Sequence, residues 1–116
     1  MLRIAQGLDN FNNPMIDGIQ QSDTIYAIVM VASTAQYITV PSTANFVLMA
    51  ASGAADFHML LGATSGLTVP SANNVAGTAP ELIPGQAGMV LRQLKGAGTI
   101  GLIATAACNI TLAFYQ

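Results

Sequence analysis

The sequence predicts an all-β domain: an antiparallel β-sandwich, jelly-roll-like, with an irregular N-terminal arm. Three observations carry this expectation. Short apolar runs rich in β-branched residues recur at roughly 8–12-residue spacing, with Gly, Pro, Ser and Asn clusters between them. The last run alternates apolar and polar residues with a period of two. No segment sustains a 3.6-residue period between helix caps.

Residues 1–23 stand apart from the domain, which the sequence places at 24–116. Gln6 to Pro14 is turn chemistry, with Asn, Asp, Gly and Pro close together. The segment carries the apolar anchors Leu8, Phe11, Met15, Ile16 and Ile19. It is either an arm that folds onto a partner or a segment packed on its own domain. From Ile25 to Val31 the chain is apolar on both faces, as a strand buried on both sides would be. Gln36 to Val40 alternates and is broken by Pro41. Asn45–Ala51 and Asp56–Leu61 read as two strands, hairpin-paired across Ser52-Gly53. The loop-rich stretch from Gly62 to Gly88 should hold short strands near Gly66–Val69 and Glu81–Ile83. Met89–Leu94 and Thr99–Ile103 are further strands, joined by a turn at Lys95–Gly98. In the final strand Cys108, Ile110, Leu112 and Phe114 share one face, and Asn109, Thr111, Ala113 and Tyr115 share the other.

The composition excludes several functions. At 116 residues the chain suits one domain. Hydrophobic residues make up 53% and charged residues 7%, against a usual charged share of roughly 25%. Three Lys/Arg against five Asp/Glu leave no basic stripe for a nucleic-acid backbone. One cysteine and one histidine cannot build a Cys/His metal cage, and no cofactor is expected. The uncharged run from Gly96 to Tyr115 is long enough to test as a membrane span, but Gly, Thr and Asn dilute it and its alternation is that of strands. The first residues lack the apolar core of a secretory signal, so the chain is expected to be soluble and made in the cytoplasm. Asn109-Ile110-Thr111 is then a chance glycosylation sequon.

Between Asp23 and Glu81 the only formal charge is Asp56. A lone monomer of this size usually keeps ~25–35% charged residues on its surface. So poor a surface predicts cover by other protein, as a homo-oligomer or an assembly.

Catalytic signals are weak. His58 lies two residues from Asp56, so the two side chains can share a strand face. No G-x-S-x-G elbow supplies a nucleophile, and the carboxylates are dispersed with no Trp to form a sugar platform. Gly96-Ala97-Gly98 is too short for a nucleotide loop. Cys108 is expected to act as a small core hydrophobe, and the six methionines as gap-fillers or as an adaptable surface. The expected class is not an enzyme.

From Ala35 to Tyr115 the chain resembles the small all-β virion proteins of tailed bacteriophages. The residues that carry the resemblance are Tyr37–Leu48 with its Val40-Pro41 break, Asp56-Phe57-His58-Met59, Pro80-Glu81-Leu82-Ile83-Pro84, and the strands Thr99–Ala104 and Ala106–Tyr115. The resemblance implies a capsid cement or decoration protein, located in the virion and binding the major capsid protein or another virion protein. This agrees with the composition, which points to no cofactor, no nucleic acid and no membrane. A dimer or trimer would hide part of the apolar strand surface. The candidate partner-contact residues are Phe11, Met15 and Ile16 on the arm, and Tyr26, Met30 and Tyr115 on the strands. The alternative is a phage appendage or fibre module that binds a host-surface glycan through the Gly62–Gly88 loops, with Asn73 and Asn74 as its contacts. A hydrolase using His58 is a third reading.

Overall fold

Alternation along the strands sorts the apolar residues into one layer between two sheets. The computed structural model describes residues 1–3, 20–53, 55–86 and 88–116, together with the backbone of 7–8 and 14–15. The strands are β1 (Gly7–Leu8), β2 (Pro14–Met15), β3 (Ile25–Met30), β4 (Gln36–Thr39) and β5 (Phe46–Ala51), followed by β6 (Phe57–Leu61), β7 (Glu81–Ile83), β8 (Val90–Gln93), β9 (Thr99–Ala104) and β10 (Cys108–Tyr115). β1 and β2 pair only with each other. The remaining eight form two four-stranded sheets, ordered β3-β10-β5-β8 and β4-β9-β6-β7.

Every pairing in the two sheets is antiparallel. The first of the eight strands pairs with the last, the second with the seventh, the third with the sixth and the fourth with the fifth. That nesting is one long antiparallel ribbon wound over itself, the jelly-roll arrangement. The all-β sandwich read from the sequence is therefore what the chain adopts.

Phe57, Met59, Ile100, Leu102, Ile110, Leu112 and Phe114 fill the space between the sheets. Tyr26 meets Phe114 edge-on, with ring centroids 5.0 Å apart. The connection between β8 and β9 is a tight turn at Leu94–Ala97, closed by Ala97 N–H donating to Leu94 C=O at 2.9 Å. Lys95 and Gly96 both take positive φ (52° and 79°), the geometry of a type I′ turn, and glycine carries the second without steric cost.

Several expectations change. β5 and β6 are not a hairpin: β5 lies between β10 and β8, and β6 between β9 and β7, so Ser52-Gly53 carries the chain from one sheet to the other. Ser52 is occupied by β10 instead, its N–H donating to Asn109 C=O and its Oγ accepting from Asn109 N–H. β3 is an edge strand and is not buried on both sides. Tyr26, Ile28 and Met30 face the core, while Ile25, Ala27 and Val29 are exposed. Gly66–Val69 forms no strand, whereas Glu81–Ile83 does. Leu67 is buried nonetheless, because its segment lies on the outer face of the second sheet. There Leu67 N–H donates to Tyr37 Oη at 2.9 Å. A Cβ placed on Gly101 would lie 2.8 Å from Ala63 Cβ and 3.1 Å from Leu67 Cδ2. Gly101 is thus the gap into which this segment settles.

The expected boundary between arm and domain at residue 24 is crossed by contacts. Ser22 is buried, and its Oγ donates to Phe114 C=O at 2.6 Å and accepts from Thr24 N–H. Gln116 N–H donates to Leu2 C=O, and the amino terminus pairs with Asp23 at 3.5 Å. Both described ends of the 1–23 segment are docked on the sandwich.

Polar side chains clasp the two open sides of the sandwich. At one side Gln36 Nε2 on β4 donates to Val29 C=O on β3 at 3.1 Å. At the other, Arg92 Nε on β8 donates to both carboxylate oxygens of Glu81 on β7 at 3.0 and 3.1 Å. The Arg92 guanidinium holds the Glu81 carboxyl below its ordinary value of 4.5. Both side chains are about two-fifths exposed, so solvent screening limits the pair to about 0.5 kcal/mol. A depressed carboxylate stabilises the fold above its unfolded value and loses that contribution as pH falls through its folded value. The stability gap between wild type and Glu81→Gln should therefore be full at neutral pH and shrink as pH falls below the ordinary carboxylate value and through the lower folded one. Urea titrations across that range measure it.

Candidate interaction surface

The six residues proposed for partner contact fare differently. Phe11 and Ile16 lie outside the described residues, as does the side chain of Met15. Tyr26 is half-buried and spends its ring on Phe114. Met30 is 1% exposed, because the alternation of β3 turns it into the core. Tyr115 is on the outward face of β10 yet only 2% exposed. Its hydroxyl donates to Gln20 C=O, so the segment before β3 covers it. Neither Met30 nor Tyr115 presents a side chain to a partner.

The surface available for contact is the opposite face of the same strand. Ile25 is 42% exposed, Val29 70% and, just beyond the strand, Val31 58%. No residue from Thr24 to Ala55 carries a formal charge. Period-two alternation explains the outward aim, and the apolar residues at outward positions were the available signal. The sequence shows them, but the same run also fits a central strand.

Beside Ile25 the outer face of the first sheet forms an apolar groove of about 330 Å³, lined among others by Gln20, Ser22, Leu48, Met89 and Ala113. Met89 stands 71% exposed at its rim.

Elsewhere the polar groups serve the fold. Asp56 accepts from Gly85 N–H at 2.9 Å, tying the loop after β7 to the start of β6. His58 Nδ1 is buried without a hydrogen-bond partner, so the Asp56–His58 dyad is not formed. Cross-strand neighbours of His58 are Leu82 and Ile103, neither of which supplies a nucleophile. Cys108 is half-buried beside the core, and burial pushes its thiol up. Among the described residues no three His, Cys, Asp or Glu side chains cluster to hold a metal ion. Nor does any described helix have the length and apolarity to cross a membrane. In the long loop the Asn74 amide donates to Thr78 Oγ1 and accepts from Ala76 N–H. That is an Asx turn, and both Asn73 and Asn74 are exposed. Comparison with protein-family models, with curated proteins and with solved structures finds no match to this chain.

Proposed function

We propose that this chain is a structural virion protein: a cement or decoration protein that binds the assembled capsid of a tailed bacteriophage and stabilises it. The observation that supports this most is the uncharged, apolar outward stripe of β3, exposed on a jelly-roll sandwich. A surface of that kind recognises protein by area and shape. In this reading the chain is made in the host bacterial cytoplasm and acts in the virion. Its partners are the major capsid protein or another virion protein and further copies of itself, as a dimer or trimer, and it performs no catalysis. A cement protein binds the completed lattice and not loose subunits, so it stabilises the shell by mass action.

Co-sedimentation with undecorated shells tests the proposal. The chain should pellet with intact shells and stay in the supernatant with dissociated capsid protein. Glycan binding by an appendage module is the competing reading. It would appear as array binding that disappears on Asn73→Ala while shells fail to pellet the protein.

A further inference from the structure

The geometry points to the open edge of β3 as a self-pairing surface, through which two copies join their first sheets into one continuous sheet of eight strands. The inference deepens the oligomer expected of the virion protein and rests on that reading for its purpose, though not for its chemistry.

Phe114 N–H donates to Thr24 C=O, so the even-numbered residues of this strand exchange hydrogen bonds with β10. The odd-numbered residues Ile25, Ala27 and Val29 therefore aim their N–H and C=O groups away from the sheet. Among the described residues the only partner recorded for these groups is Gln36 Nε2 on Val29 C=O, and a carbonyl keeps a second lone pair.

Open edges invite pairing with another chain, and sheets normally blunt them with charge, proline or shortness. The other three edge strands of the two four-stranded sheets are guarded. β4 has four residues and runs into Pro41. β7 has three and is flanked by Pro80 and Pro84. β8 has four and carries Arg92. β3 has six residues with no charge and no proline.

The pattern also selects the partner. Antiparallel pairing about a two-fold axis at Ala27 sets Ile25 opposite Val29 of the second copy and Ala27 opposite its own counterpart. This register engages the N–H and C=O of all three residues. It brings Ile25 and Val29 together on the outer face, with the small Ala27 side chains at the axis. Such a contact is isologous, the same surface on both copies, and closes at two.

Light scattering over a concentration series, on wild type and Ala27→Pro, tests this. The Ala27 N–H faces the open edge, so proline there removes an intermolecular donor and leaves the ladder to β10 intact. Wild type should rise from 11.9 kDa to twice that mass with concentration, and Ala27→Pro should stay monomeric with an unchanged circular dichroism spectrum. If the proline variant unfolds, Ala27→Cys takes its place, and it should give a disulfide-linked dimer under mild oxidation. A wild type that stays monomeric throughout would overturn the inference. So would an oligomer that survives Ala27→Pro, or an Ala27→Cys variant that fails to cross-link. Shell pelleting separates this from the virion reading. A monomer that pellets with shells removes edge pairing alone, and a β3 dimer that ignores shells removes the virion role alone.

Discussion

Replacing Phe114 by alanine should destabilise the fold by about 3–5 kcal/mol, the largest loss expected from any single truncation considered. Phe114 is fully buried near the C-terminal end of β10, the strand that holds β3 on one side and β5 on the other. Its ring meets Tyr26 edge-on, and its backbone bonds both Thr24 and Ser22. The truncation leaves a cavity between the sheets that the paired strands cannot close. Urea denaturation should show the midpoint falling with little change in slope. Phe114→Leu, which keeps most of the volume, should cost only about 1–1.5 kcal/mol. Equal losses for the two variants would mean that the cavity is not the cause.

Gly101→Ala should cost about 1–3 kcal/mol, an unusual penalty for adding one methyl group. Gly101 faces outward on β9 between Tyr37 and Leu60, its cross-strand neighbours. The new Cβ would meet Ala63 Cβ at 2.8 Å and displace the segment that carries Leu67. Protection of the Leu67 amide from hydrogen exchange should fall, since its bond to Tyr37 Oη depends on that docking. Ala63→Gly removes the clashing atom, so the double variant should be more stable than the sum of the two single losses. Simple additivity in that cycle would contradict the packing described.

These two sites mark what was legible in the sequence and what was not. β10 could be read outright, because strict alternation placed Ile110, Leu112 and Phe114 on one face and all three are buried. β3 departs from the sequence expectation because its outward residues Ile25, Ala27 and Val29 are also apolar, and a run of that kind fits a central strand equally well. The proposed β5–β6 hairpin failed for a topological reason. Ser52-Gly53 reads as a hairpin turn, whereas in a jelly roll the short connection crosses between sheets and the pairing partners lie far along the chain. Leu67 and Val69 imitate a strand by spacing alone, and only the gap at Gly101 shows where Leu67 docks. Tyr115 looked exposed by alternation, but cover from Gln20 is a tertiary effect with no local signal. The missing charge marks an apolar outward surface around β3, but two of the residues proposed for partner contact, Met30 and Tyr115, are buried.

As proposed, this small sandwich acts by binding and strengthening a protein shell. Heating undecorated shells with and without saturating amounts of the chain tests it most directly, with shell opening followed by light scattering or dye access to packaged DNA. A binder specific for the assembled lattice shifts its disruption upward in proportion to the logarithm of ligand concentration. Such a rise is expected, reaching a plateau when the lattice sites are full. An opening temperature that stays the same at every concentration of the chain would contradict the proposal.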